Sequence, residues 1–205
     1  MKKVMVFGIL VILLGAPVQA THYEITTDIY TPGLTLRTND SLYMTDGGFG
    51  SLNLLGEGII ATIEGTSDLI EGSGGIWEID LANNNYLDVS GGQIHEIDIG
   101  NDATAFLSGG LIQGIWSQQT AWKTVNEQLI WNPHIKIACL DHFYNETTNV
   151  LTGHWLDNTP FSIQLIDVQG YSSAIENIQF IPEPMTILLL GFGGFLIRSR
   201  KPVKM

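Results

Sequence analysis

The feature that most constrains the fold is an internal repeat in the middle of the chain, with a period of about 18 residues. Three columns recur at this spacing: Gly74, Gly92 and Gly110; Ile76, Ile94 and Ile112; and Ile79, Ile97 and Ile115. Two copies share further matches, with Asp80 aligned to Asp98 and Leu81 to Ile99. A fixed period shared by several columns indicates one supersecondary unit that stacks on its own copies.

Within each copy, apolar and polar residues alternate, as in Ile79-Asp80-Leu81, and this period of two is typical of a strand with one buried face. Gly- and Asn-rich segments between the strands predict turns. We therefore expect an all-β fold, a right-handed β-helix (solenoid) with about 18 residues per coil. A hexapeptide helix is excluded, because sixth-residue steps from Ile76 reach Ala82 and Asp88. A β-sandwich is the alternative.

Residues 119–180 abandon the repeat and are predicted to form a C-terminal β cap. Strands are expected at 134–140, 151–155 and 161–166, with hairpin loops at 145–149 and 157–158. The predicted domains are a signal peptide (1–20), solenoid repeats (21–118), the β cap (119–180) and a sorting and membrane tail (181–205).

Residues 1–20 have the organisation of a signal peptide. Two lysines precede an apolar run over 4–14, and small residues stand before the expected cleavage between Ala20 and Thr21. The run is too short to span a bilayer comfortably. Export is therefore predicted.

The other end carries a second targeting pattern. Pro182-Glu183-Pro184 precedes an apolar run, 185–197, and then the basic residues Arg198, Arg200 and Lys201. As a helix this run covers about 20 Å, less than the roughly 30 Å hydrocarbon core, so we expect one short C-terminal transmembrane helix. The basic end belongs in the cytoplasm, which leaves the body outside the cell membrane.

This tail resembles the sorting signal of PEP-CTERM proteins, a tail family also labelled ice-binding protein C-terminal domain. The resemblance covers residues 181–203, and Pro182, Glu183 and Pro184 match the motif directly. It implies that an exosortase-type membrane enzyme recognises and processes the chain near this motif. The body would then pass to the cell surface or the extracellular exopolysaccharide matrix.

The body between the two ends is strongly acidic. Three basic residues, Arg37, Lys123 and Lys136, stand against 20 of the 21 Asp and Glu, a net charge of −17. Such a surface excludes nucleic acid as a partner, because that affinity rests on Lys and Arg at phosphates. It suits hydrated polysaccharide surroundings, and exopolysaccharide is the further partner expected.

No catalytic residue, cofactor or metal site is predicted. Cys139 is the only cysteine, which precludes an intrachain disulfide, and its apolar neighbours indicate a buried small hydrophobe. The histidines lack the spacing of a helical zinc site. Asp141-His142 and His154 with Asp157 are interpreted as local hydrogen-bonding neighbours. Calcium at stacked Asp80 and Asp98 is the alternative to solvated, outward-facing acids.

Three functions remain in view. A non-catalytic cell-surface or exopolysaccharide-matrix protein fits the targeting segments and the acidic repeats. A polysaccharide lyase or hydrolase is the alternative, although basic groups to neutralise a uronate are nearly absent. An ice-binding or glycan-adhesion protein is the third, and Trp77, expected outside the repeated isoleucines, would stack on sugar rings unless it packs in the core.

Overall fold

A computed structural model describes residues 19–67, 75–100, 102–118, 124–125, 128–129, 134–167 and 173–181. These residues form β-strands and a single-turn 3₁₀ helix, Ala174–Asn177, so the all-β prediction is confirmed. In the described part of the chain, no helix has the length and apolar character needed to cross a bilayer. The predicted C-terminal helix, at 185–197, lies outside the described residues.

The strands are short and follow one another closely. In the first half they are β1 (His22–Ile25), β2 (Tyr30–Thr31), β3 (Leu34–Leu36), β4 (Ser41–Met44), β5 (Gly48–Leu54), β6 (Ile60–Ile63), β7 (Gly75–Leu81) and β8 (Tyr86–Val89). In the second half they are β9 (Gln93–Gly100), β10 (Thr104–Leu107), β11 (Leu111–Gln118), β12 (Thr124–Val125), β13 (Gln128–Leu129), β14 (His134–Asn145), β15 (Val150–Trp155), β16 (Pro160–Ile166) and β17 (Ile178–Ile181).

Most strands belong to one of two parallel ladders, between which the chain alternates. Ladder A runs β1-β4-β6-β8-β10, continues into the first residues of β14, and ends at β17. Ladder B starts from β2 and β3, both paired with β5, and runs through β7, β9 and β11 to β16. Successive turns of the chain therefore add one strand to each ladder.

The long strand β14 joins the two ladders into one 15-stranded sheet. Its first residues pair in parallel with β10, and its later residues pair in antiparallel fashion with β15. A register shift between Cys139 and Asp141 interrupts the pairing with β15, in which Cys139 lies opposite Trp155. Because β15 pairs with β16, and β16 with β11, the hairpins close one end of the stack. The domain boundary between residues 118 and 119 stays a prediction.

The observed register matches the sequence repeat. Ile76, Ile94 and Ile112 are direct neighbours on β7, β9 and β11, and so are Ile79, Ile97 and Ile115. All six are at most 1% exposed and lie in the main core. The aligned isoleucines thus form interior columns, because strand neighbours at the same height point to the same side of the sheet.

The repeat also includes strands before the three aligned copies, within the range 21–118 predicted for it. Leu34 and Leu36 pair with Leu52 and Leu54, which is the same spacing again. The next step in ladder B, from Leu52 to Ile79, spans one and a half times as many residues, so a fixed period does not detect it in the sequence. The steps of ladder A are unequal as well, and they lead in order through Ser41, Ile60, Tyr86, Thr104 and His134. A parallel ladder requires matched register but tolerates loops of different lengths.

The turns use residues that accept positive φ. Asn83, Gly92 and Gly110 have φ of 60°, 86° and 88°, and the hairpin residues Asn149 and Asn158 have 53° and 68°. Asparagine and glycine tolerate this conformation better than other residues. The predicted strands and hairpin loops of the cap are confirmed, although β14 continues to Asn145 instead of ending near residue 140.

One buried asparagine organises the corner between β7 and β8. Asn85 is 1% exposed, and its Oδ1 accepts a hydrogen bond from Ile59 N at 2.9 Å. Its Nδ2 donates to the carbonyl oxygens of Leu54, Gly56 and Ala82 at 2.7–2.9 Å. One side chain therefore satisfies backbone groups from three segments of chain.

We expect Asn85→Ala to lower the free energy of unfolding by about 3 kcal/mol, because buried backbone groups lose their partner. The matched control is Asn53→Ala on the outer side of β5, where Nδ2 makes a single 3.5 Å contact with Thr35 Oγ1. The control should change stability by no more than about 0.5 kcal/mol. Equal losses in the two variants, measured by urea denaturation, would contradict this role of Asn85.

Candidate functional site

The predicted N-terminal cleavage site lies at the start of the folded body. Ala20 and Thr21 are exposed and come directly before β1. The backbone of Thr21 already follows ladder A, since its carbonyl oxygen accepts from Ser41 N at 2.9 Å. A cut between Ala20 and Thr21 would therefore leave almost no loose chain before the first strand.

The predicted sorting motif follows the last described strand without a spacer. β17 ends at Ile181, whose partner in the register is Ala138 of β14. Pro182, Glu183 and Pro184 are the next three residues, and they lie outside the described part of the chain. The basic residues Arg198, Arg200 and Lys201 also lie outside it, so their roles stay predictions.

The outer face of ladder B carries two columns of acidic residues. Glu78 pairs with Glu96, and Asp80 with Asp98, on the adjacent parallel strands β7 and β9. We call these four residues the acidic ladder. The column of Glu78 and Glu96 continues through Ser51 on one side and Gly114 on the other. The column of Asp80 and Asp98 continues through Asn53 and Thr35 on one side and Trp116 on the other. No lysine or arginine occupies a described position in either column.

Burial and neighbouring negative charges make the carboxyl groups of Asp80, Glu96 and Asp98 weaker acids. Desolvation, followed by the charges of Asp80, Glu96 and Glu78, raises the pKa of Asp98 to about 6. Desolvation also raises the pKa of Asp80, and the pKa of Glu96 is raised by desolvation and by Glu78. Neighbouring like charges are unfavourable on a sheet, so part of this face becomes protonated at mildly acidic pH.

An aromatic pair lies beside the acidic ladder. Trp77 is 48% exposed, and its ring stacks on that of His95 with centroids 4.1 Å apart and an interplanar angle of 6°. Of the two alternatives for Trp77, facing solvent and packing in the core, the structure shows the first. Trp155 differs, because it is 1% exposed and donates from Nε1 to Gly110 O at 3.0 Å. Trp122 and Trp131 lie outside the described residues.

The remaining histidines and the cysteine make isolated contacts. Among the described residues, no group of three His, Cys, Asp or Glu side chains is arranged to hold a metal ion. His142 stacks on Phe180, with ring centroids 3.5 Å apart. Cys139 is 4% exposed, and burial raises the pKa of its thiol, which keeps it protonated. The prediction that Cys139 is buried is confirmed.

The acid–histidine contact differs from the local one inferred from sequence. His154 Nδ1 lies 2.9 Å from Asp141 Oδ1, across the β14–β15 pair. Asp157, expected to be near His154, instead accepts from the Thr159 hydroxyl at 2.6 Å and from its amide at 2.9 Å. The antiparallel register places Asp141 opposite His154. Spacing along the chain carried no signal for this pair.

The described surface includes two concave regions of similar volume. One, of about 590 Å³, is lined by Arg37, Thr38 and Asn39 with parts of Leu55 and Gly56. The other, of about 510 Å³, lies over the β14–β15–β16 hairpins beside Asp141 and His154. The acidic ladder lines neither of these two regions.

Comparison with known proteins finds no matching family model, no matching curated protein and no matching solved structure. The class to which the described structure assigns the chain is therefore an all-β protein built on two parallel ladders. Any narrower identity rests on the targeting segments and on the surface described above.

We expect Asp98→Asn to stabilise the protein at pH 7.5 and to have little effect at pH 4. Because the folded-state pKa lies above the ordinary value, the folded state holds the proton more tightly. The unfavourable contribution of the Asp98 carboxylate to the free energy of unfolding is therefore absent below about pH 4. It grows as pH rises and is complete above about pH 6. Urea denaturation at several pH values measures it.

The control is Asp157→Asn, because hydrogen bonds from Thr159 lower the pKa of Asp157. Its contribution has the opposite sign: it is favourable above the unfolded-state pKa and is lost as pH falls. Asp157→Asn should therefore give no stabilisation at pH 7.5. A stability profile of Asp98→Asn parallel to that of the wild type would contradict the assignment.

Proposed function

We propose that this chain is an exported, non-catalytic cell-surface or exopolysaccharide-matrix protein, sorted and processed through its Pro182-Glu183-Pro184 tail. The observation that carries the proposal is that both targeting segments directly adjoin ladder A. The predicted leader ends immediately before β1, and the motif begins immediately after β17. The body thus fills the whole interval between two address segments, and an exosortase-type enzyme is its expected partner.

We further propose that the body is a right-handed β-helix. The alternation between two parallel ladders and the equal steps from β7 to β9 and from β9 to β11 support this arrangement. The β-sandwich alternative is less favoured, because sandwiches are built from antiparallel sheets. Seven strands stacked in ladder A extend about 29 Å at the usual strand spacing. A stack of this kind suits a rigid spacer between the membrane and the matrix.

The arrangement of the acidic ladder along one face supports a non-catalytic role. A glycosidase needs two carboxyl groups on opposite sides of a bound glycosidic bond. Glu78, Asp80, Glu96 and Asp98 instead lie side by side on one outward face. A uronate lyase needs a positive group next to its base. Lys136 lies on ladder A, between Phe106 and Gln179, Arg37 follows β3 outside both acidic columns, and Lys123 lies outside the described residues. A polysaccharide-active enzyme is therefore the weaker alternative.

A second candidate function, glycan contact, is favoured by Trp77. Its half-exposed ring, held by stacking on His95, offers a flat apolar surface beside hydrogen-bonding carboxylates. Ice binding is less favoured, since it needs regular ranks of threonine or small residues. The outward column of ladder A instead contains Tyr43, Thr62, Asp88, Phe106 and Lys136.

Deletion of residues 182–184 tests the sorting proposal. The variant should keep its C-terminal residues and accumulate in the membrane, whereas the wild-type body should appear on the surface or in the matrix. Intact mass and cell fractionation measure both effects. The control is deletion of residues 204–205, beyond the range 181–203 that resembles the sorting signal, and this variant should still be processed. Unchanged processing and display of the 182–184 deletion would refute sorting through this motif.

Trp77→Ala tests the glycan-contact function. Retention of the purified protein by exopolysaccharide from the producing cells should fall about fivefold, since one exposed aromatic platform is lost. Phe143→Ala is the control, because Phe143 is 66% exposed but lies on the hairpins away from the acidic ladder. Equal retention of the two variants would remove this second candidate and leave the sorting proposal intact.

A further inference from the structure

We propose that removal of the leader creates an ion pair between the new α-ammonium group of Thr21 and the buried carboxylate of Asp40, and that this pair holds β1 on the end of ladder A. The inference rests on the proposed export with cleavage before Thr21. Hydrolysis breaks the Ala20–Thr21 peptide bond. The oxygen of one water goes to the Ala20 carboxylate, and its two protons go to the Thr21 nitrogen.

The geometry for this pair is already present at the end of the ladder. Thr21 N donates to Asp40 Oδ1 at 2.7 Å, and Ser41 N donates to Thr21 O at 2.9 Å. Asp40 is 4% exposed, and its Oδ2 accepts from Arg37 N at 2.8 Å. The nitrogen that cleavage would make cationic thus points at a carboxylate that is nearly excluded from water.

The same corner occurs elsewhere in ladder A with an uncharged side chain. Asn85 precedes β8 as Asp40 precedes β4, and its Oδ1 accepts from Ile59 N at 2.9 Å. Tyr86 N donates to Ile59 O, just as Ser41 N donates to Thr21 O. Where the donor is an amide inside the chain, the acceptor is an amide. Where the donor would become the chain terminus, the acceptor is a carboxylate.

This difference in charge follows from the cost of burial. A buried carboxylate is costly when its partners are neutral amides, and a cationic donor at the same distance compensates for that cost. In the uncut precursor, Thr21 N is such a neutral amide. After cleavage the α-amine, with an ordinary pKa of about 7.7–8.0, is protonated at neutral pH. Loss of the leader therefore strengthens an existing hydrogen bond by adding a full charge.

The ion pair would stabilise the end of ladder A at which β1 lies. In the described chain β1 pairs only with β4, so it is the strand of ladder A most exposed to fraying at this end. A firmly held β1 covers the edge of β4, which would otherwise offer unpaired backbone groups to other chains. Leader removal would thus complete the folding of this end only after export.

A double-mutant cycle on the full chain, residues 21–205 in detergent, tests the pair. Two forms of the protein are compared. One begins with the free amine of Thr21, and the other retains Ala20, so that Thr21 N is an amide nitrogen. Each is combined with Asp40 or with Asp40→Asn. Retention of Ala20 should raise the unfolding equilibrium constant at pH 6.5 about tenfold when Asp40 is present. It should change this constant less than about twofold with Asp40→Asn.

The control background is Asp102→Asn, which removes an exposed acid and should keep the tenfold effect of Ala20. An equal effect of Ala20 with Asp40 and with Asp40→Asn would overturn the pair. If Asp40→Asn does not fold, the rate of chemical labelling of the Thr21 amine tests the pair instead. This rate should be at least about tenfold lower in native than in urea-unfolded wild-type protein. Equal labelling rates would overturn the pair.

These outcomes are separate from those of the sorting proposal. The N-termini of the test proteins are set by design, so a failed deletion of residues 182–184 leaves the cycle unaffected. Protein recovered from cells with a first residue other than Thr21 would overturn the ion pair in the mature protein. That result would leave sorting through the C-terminal motif untouched.

Discussion

Parallel backbone pairing in register is the constraint on which the rest of this structure depends. Each strand can join its ladder only if its inward side chains meet those of its neighbours at the same height. Ile76, Ile94 and Ile112 satisfy this condition, and so does the second isoleucine column. Because each column is continuous, a cavity at one strand also removes packing from the neighbouring strands of the ladder.

The same register also determines the chemistry of the surface. Repetition that stacks isoleucines inside places Asp80 against Asp98 and Glu78 against Glu96 outside, although like charges repel. Before β4 and β8, the buried polar side chains bond to neighbouring segments of chain. Asn85 finds amides and carbonyls, and Asp40 finds the backbone nitrogen of Thr21. Core packing, surface acidity and corner chemistry are therefore consequences of one stacking rule.

The sequence predicted those parts of the fold that local patterns encode. Alternation around Ile79 identified strands, the fixed spacing of the repeat anticipated their register, and Asn and Gly marked the turns. It did not reveal ladder A, whose steps vary because loop length is not constrained by strand pairing. It also associated His154 with the nearby Asp157, whereas the antiparallel register of β14 and β15 brings Asp141 to it.

Periodicity and composition were thus enough to predict the all-β class, the core columns and the acidity of the body, and the terminal motifs predicted two address segments. Each of these features depends on local or regularly spaced residues of the sequence. The folded arrangement alone established that β14 joins the two ladders, that Trp77 rests on His95, and that Asp40 lies against Thr21. These relations depend on which distant segments become neighbours. That choice is made by the packing of the whole chain and leaves no signature at any single position.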